Sequence, residues 1–209
     1  MSSESRLARR DALLSRLGAV DWPHQPLLEA LNLPLNADLL DIGAGEGSLV
    51  REWRRQSAGR AEGIDPMPGA GMHRGVAEAL PYMAGAFDVI LLVRTLAHLP
   101  DAGAALREAW RVLRGQLVLA AHSAEHLRAT WQALGRPADG GGPEQHLQAA
   151  LIQAGHIALR LDVRLPIKVT AADARELVGT YGLGISVNEN RFPVQDTTHL
   201  AVYVAHKTA

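Results

Sequence analysis

The stretch Leu39-Leu40-Asp41-Ile42-Gly43-Ala44-Gly45-Glu46-Gly47-Ser48 joins a short apolar run to an acidic residue and three alternating glycines. It reads as a strand end, a tight turn and a helix start. Glycine is needed where the backbone takes a positive φ or where a ligand approaches closer than a Cβ permits, and three within five positions is a costly concentration of backbone freedom. The stretch therefore predicts a ligand lying against the turn. The plainer alternative is a glycine-rich surface turn with none.

A dinucleotide site spaces its glycines as G-x-G-x-x-G, with phosphate on the N-terminus of the next helix. Here the sixth position is Ser48, and Asp41 stands two residues before the first glycine. A carboxylate at that point repels a pyrophosphate and suits a ligand carrying an ammonium or sulfonium charge. A nicotinamide oxidoreductase is disfavoured on both counts.

Composition narrows the function further. The 209 residues suit one compact domain with a small appendage. With 47% hydrophobic and 21% charged residues the chain reads as globular. No apolar run approaches the roughly 18 residues of a membrane span, and the N-terminal stretch has no apolar signal core, so a cytoplasmic location is the expectation. The count of Cys is 0, which excludes disulfides, thiolate zinc sites, iron–sulfur clusters and a Cys nucleophile. The net charge of −1 supplies no basic field for nucleic acid. Arg51, Arg54 and Arg55 fall at helical spacing and read as a solvated face.

Along the chain, Leu7, Leu13, Leu14 and Leu17 predict a helix, and Pro26 to Leu31 a second short one before Pro34. From Asp38 strand and helix signals alternate. LLDIG is followed by a helix over about 48–56, AEGIDP by a helical stretch around Met72, FDVILLV by a helix over 101–113, and QLVLAA is another buried strand. Continuous apolar strands separated by helices indicate a mostly parallel sheet covered on both faces, with ligands at the carboxyl ends of its strands. RPADGGGPEQH breaks the rhythm as a loop. A helix over about 144–154, the strand LRLDVRLPIKV, a helix over 171–178 and the strand HLAVYVAHK follow.

The pattern D-x-G-x-G-x-G from Asp41 to Gly47 resembles motif I of the class I S-adenosylmethionine-dependent methyltransferases, type 11-like. The resemblance implies a Rossmann-like α/β fold, a seven-stranded mostly parallel sheet with helices on both faces and an antiparallel C-terminal strand. It implies S-adenosylmethionine as cofactor and S-adenosylhomocysteine as product. In that family Asp41, Gly43, Ala44, Gly45 and Gly47 line the cofactor. Asp65, 22 residues after Gly43, corresponds to the acid that binds both ribose hydroxyls, with Pro66 and Met67 against adenine. The other reading of Asp65 is a turn initiator before Pro66.

Gly75-Val76-Ala77-Glu78-Ala79-Leu80-Pro81 is similar to the family stretch G-D-A-x-x-L-P, with Val76 where an acid meets the adenine amino group. Adenine would then be held by backbone near Ala77 and by packing, or Glu78 would substitute. The run Val93 to Pro100, completed by Asp101, resembles the family's H-L-P-D segment. Val93 carbonyls face the methionine end in that family, and Arg94 either holds an acidic substrate or bridges to a surface carboxylate. His98 is the one candidate proton acceptor. Arg111-Val112-Leu113-Arg114-Gly115-Gln116 lacks the proline and one glycine of R-V-L-K-P-G-G, which shortens the turn before the fifth strand.

His122 and His126, at i, i+4, would present two imidazoles to a metal if helical, but no acidic third ligand is evident and no metal is expected. Tyr181, His122 and Asp139 are pocket candidates from the loops expected over the strand ends. The order of His126-Leu127, Leu165-Pro166-Ile167, Thr170 to Ala174 and Thr198 is similar to the C-terminal half of the ribosomal RNA guanine-N1 methyltransferases, without their cysteine zinc module.

Residues 1–36 read as an N-terminal helical lead-in and 37–209 as the cofactor-binding domain. The expected function is methyl transfer to a small molecule or RNA. A non-catalytic cofactor-binding or partner-binding module is the alternative, supported by Val76 and Arg94.

Overall fold

A computed structural model describes residues 5–136 and 142–207. Seven strands form one sheet in the order β3-β2-β1-β4-β5-β7-β6. They are β1 (Leu39–Ile42), β2 (Ala61–Asp65), β3 (His73–Arg74), β4 (Phe87–Val93), β5 (Leu113–His122), β6 (Leu159–Val169) and β7 (Val194–His206). Strands β1 to β5 are parallel, and β7 runs antiparallel between β5 and β6. Among the described residues seven α-helices accompany them: α1 (Arg6–Gly18), α2 (His24–Leu31), α3 (Ser48–Gln56), α4 (Ala102–Val112), α5 (Arg128–Ala133), α6 (Gly142–Gln153) and α7 (Ala171–Tyr181). This is the Rossmann-like sheet the sequence predicted. Among the described residues no helix is long and apolar enough to cross a membrane.

Strand alternation sorts the core into two layers. Leu39, Val89, Leu91, Val118, Ala120 and Leu200 face α1, α2, α3 and α7. Leu40, Ile42, Ile90, Leu92, Leu117 and Leu119 face α4 and α6. Asp41 and His122 share the parity of the first layer, so both emerge beneath α1 at the carboxyl ends of their strands. Leu13, Leu14, Leu27 and Leu28 are buried in that same layer, which makes the N-terminal helices part of this core. Side-chain caps start the helices that frame the site. Ser5 accepts from Ala8 N–H at 3.1 Å, Asp101 from Ala104 N–H at 2.8 Å, and Thr170 and Asp173 form a reciprocal box.

Three sequence expectations are corrected. The stretch around Met72 is a turn leading into the two-residue strand β3, because glycines at 69, 71 and 75 crowd it. His122 ends β5 and His126 lies in the turn after it, so the two share no helix. Helix α5, too short for a periodic pattern, was not foreseen. The shortened turn before β5 is present: α4 ends at Val112 and β5 begins at Leu113.

Candidate active site

The turn between β1 and α3 is pinned to β2. Gly43 and Ala44 N–H both donate to the Ile64 carbonyl, at 2.8 and 3.1 Å. Gly45 N–H donates to Asp65 Oδ2 at 3.0 Å, and Met67 N–H donates to Asp65 Oδ1 at 2.8 Å. Asp65 thus closes its own turn, as its turn-initiator reading predicts, and buttresses the glycine turn as well. Each carboxylate oxygen has further lone-pair capacity. Gly43, Gly45 and Gly47 all have positive φ. A Cβ on Gly43 would stand 2.4 Å from Thr95, whereas a Cβ on Gly45 would meet nothing within 4 Å.

A cavity of about 600 Å³ opens at this turn under α1. Of the sequence candidates, Asp41, Gly43, Ala44, Gly45, Met67, Val93 and Arg94 line it, and Asp65 reaches its rim through Gly45. Gly47 is instead buried at the start of α3, where a Cβ would stand 2.7 Å from Met72 Sδ. Pro66 is exposed. Val76, Ala77 and Glu78 lie in the turn after β3, off the cavity wall. Val76 is exposed, Ala77 is buried in the α4 layer, and Glu78 Oε1 accepts from Asp101 N–H at 3.4 Å.

Two charged groups dominate the cavity. Asp41 is buried and has no hydrogen-bond partner among the described residues. Burial first, then the charge of Asp65, push its carboxyl up to about 7, against the pull of Arg94. Arg94 adopts the left-handed conformation at φ 57 and pairs with Asp11 of α1 through both guanidinium Nη atoms at 2.7 Å. This is the bridging role foreseen for Arg94, except that the carboxylate is largely buried.

The wall continues past Arg94. A small cavity of about 170 Å³ shares Leu7 and Arg94 with the first. It shares Arg10, His98, His122 and Pro143 with a third, of about 470 Å³, at the carboxyl end of β5. His98, exposed on a 3-10 turn, lines both of these, and Tyr181 lines the larger. Asp139 lies outside the described residues.

The rings of His122 and His126 stack at 3.8 Å in the third cavity, and no third metal-ligating side chain joins them among the described residues. Burial first, then neighbouring cationic groups, press His126 down to about 3 and His122 well below its ordinary value, so both are neutral. Beside them, Ser123 Oγ lies 2.6 Å from His199 Nδ1, and His199 Nε2 lies 2.6 Å from Asp162 Oδ1.

Sequence reading missed Arg10, Asp11, Trp22 and His24 from the N-terminal segment, together with Ser123, His126 and His199 as a group. No spacing links residues that far apart. Only the folding of α1 across the strand ends does.

Residues 40–121, from β1 through β5, match the family profile described as a methyltransferase domain. The chain carries an S-adenosylmethionine-dependent methyltransferase domain. S-adenosylmethionine is its cofactor and methyl transfer its reaction class. The fold of several solved structures extends over nearly the whole chain. YcgJ from Bacillus subtilis is 18% identical over 88% of this chain and 97% of its own, with a TM-score of 0.56. A SAM-dependent methyltransferase from Aquifex aeolicus is 15% identical over 93% of each chain, at 0.57. A SAM-dependent methyltransferase from Thermotoga maritima, described as a possible histamine N-methyltransferase, is 19% identical over 97% of this chain and 92% of its own, at 0.53. At these identities the likeness establishes the fold of the methyltransferase domain. No curated protein matches the sequence.

Proposed function

We propose that this methyltransferase acts on a small molecule seated in the cavity at the end of β5. The observation that carries the reading is the row of three adjoining cavities, from the glycine turn past Arg94 to His122. Their volumes suit a cofactor at one end and a small ligand at the other. The cofactor end fits S-adenosylmethionine. Gly45 leaves open space that a Cβ would enter, and Asp41 is a buried carboxyl group without a hydrogen-bond partner among the described residues, suited to a cationic ligand.

In this reading Asp41, Gly43, Ala44, Gly45, Met67, Val93 and Arg94 wall the cofactor, and the free lone pairs of Asp65 receive its ribose hydroxyls. Bound S-adenosylmethionine supplies a methyl group on an already activated sulfonium leaving group. The chain's own contribution is to orient the acceptor and exclude water. His98 takes a proton from acceptors that are protonated at neutral pH. Ala77 and Glu78, away from the cavity wall, reach adenine only if the turn after β3 moves inward.

Calorimetry with S-adenosylmethionine and S-adenosylhomocysteine, using Asp65→Ala as control, tests the cofactor half. Binding in the micromolar range that Asp65→Ala weakens at least ~tenfold is expected. Labelled-methyl transfer into the small-molecule and RNA fractions of a cell extract tests the acceptor half. Label confined to RNA would overturn the small-molecule reading in favour of the RNA enzymes resembled by the C-terminal half. Failure to bind either form of the cofactor would overturn the site assignment.

A further inference from the structure

The two acceptor-side cavities are walled by Arg10, Arg94 and Arg136 and three histidines, with no aspartate or glutamate among their described lining residues. Arg94 is already neutralised by Asp11. Arg10 is not. Its Nε and Nη2 donate to Thr180 Oγ1 and the Thr180 carbonyl, both at 3.3 Å, and its Cζ lies 3.4 Å from the Tyr181 ring centroid. Among the described residues no carboxylate lies within ion-pair distance of it. The neighbouring Asp11 already has both oxygens on Arg94. Burial first, and then the charge of Arg94, lower the affinity of Arg10 for its proton against the opposing pull of Tyr181 and Asp11, as expected for a part-buried cation that no carboxylate pairs directly.

The same wall contains a second unmet group. His126 is buried, and its Nδ1 accepts from His199 N–H at 3.1 Å. A neutral imidazole whose Nδ1 accepts carries its proton on Nε2. That Nε2–H is buried and has no partner among the described residues. A guanidinium without a directly paired carboxylate and a buried donor without an acceptor among the described residues, in one cavity, are complementary to an anion. Trp131 and Tyr181, packed edge to face at 5.0 Å, form the apolar side of the same cavity.

We propose that the methyl acceptor is a small aromatic or apolar acid whose carboxylate is held by Arg10, with the Nε2–H of His126 as second donor. This inference rests on the reading of the β5 cavity as the acceptor site. It adds the chemical class of the acceptor. Arginine suits the role because its planar fork matches a carboxylate and stays charged at any physiological pH.

Binding of four acids tests it: benzoate, phenylacetate, cinnamate and indole-3-acetate, each against its amide and against phenyl phosphate. Saturation-transfer NMR is run on the full chain saturated with S-adenosylhomocysteine. At least one acid is expected to bind ~tenfold or more tightly than its amide, since a charged hydrogen-bonded pair is lost in the amide. Arg10→Gln should erase that gap and Arg10→Lys should restore part of it, with S-adenosylhomocysteine binding as the check that each variant is folded.

Amides that match every acid, or an acid preference that survives Arg10→Gln, would overturn the proposal. So would the absence of acid binding to a protein that binds S-adenosylhomocysteine. Phenyl phosphate binding more tightly than all four acids would replace the carboxylate by a phosphoryl group. Loss of S-adenosylhomocysteine binding by the unaltered protein would instead sink the methyltransferase site itself.

Discussion

Arg94 at the end of β4 and Asp11 in α1 form a two-pronged ion pair across 83 positions of sequence, with both contacts at 2.7 Å and side chains only 11% and 15% exposed. The pair fastens α1 over the cavity at the glycine turn. It also holds Arg94 at φ 57, a conformation that costs a side-chain-bearing residue about 1 kcal/mol or more.

Removing one partner leaves a largely buried charge uncompensated. Asp11→Asn is expected to lower stability by about 3 kcal/mol, with Arg94→Gln similar and the double variant losing less than the two together. Urea unfolding of the four proteins measures the coupling. A coupling near zero would show that the pair does not hold α1.

Asp41 makes stability depend on pH in a defined sense. The folded protein keeps this proton up to about pH 7, whereas an unfolded aspartate releases it near pH 4. Between those values the folded state binds more protons, so stability is greatest below about pH 4, falls as pH rises to about 7, and is level above. The loss attributable to this one group is on the order of 4 kcal/mol. Asp41→Asn should flatten that part of the profile and raise the melting temperature at pH 8. It should also narrow the preference for cationic S-adenosylmethionine over S-adenosylhomocysteine, read by calorimetry.

Gly43 and Gly45 separate folding from ligand binding. A Cβ on Gly43 strikes Thr95, whereas one on Gly45 enters open cavity. Both have positive φ, so each Ala carries a backbone cost of about 1 kcal/mol. Gly43→Ala should therefore lose markedly more stability than Gly45→Ala. Gly45→Ala should keep a cooperative melt and lose S-adenosylhomocysteine affinity at least ~tenfold. Equal melting temperatures for the two would contradict the packing described here.

His199, within β7, ties that strand to the turn after β5 through Ser123 and to β6 through Asp162. For Asp162, burial opposes ionisation, but the His199 hydrogen bond and the nearby arginines outweigh it and hold the carboxyl below its ordinary value. His199→Phe removes both of these hydrogen bonds and leaves a buried site without its polar link, although Asp162 keeps Arg160 and Ser123 keeps the Glu125 N–H. It is expected to cost about 3 kcal/mol, against about 1 kcal/mol for Ser123→Ala, which loses the bonds to His199 and to the Glu125 N–H but leaves His199 bonded to Asp162. Thermal unfolding ranks them, and the reverse order would remove His199 as the hub.

What the chain determined locally was legible without coordinates. Apolar runs at β1, β4, β5 and β7, the glycine turn after Asp41, and Asp65 at its distance from Gly43 are short-range patterns. Strand periodicity and positive φ are properties of a few consecutive residues. The stretch at Met72 misread because glycines override a weak helical period, and α5 because six residues carry no period at all.

The cavity at the end of β5 was decided by tertiary structure alone. Arg10, Asp11, Arg94, His126, Thr180 and His199 meet because β7 inserts antiparallel beside β5 and α1 crosses the strand ends. Side chains brought together by long-range packing leave no spacing signature in the sequence. Their unmet charge and donor exist only once the fold has excluded water from around them.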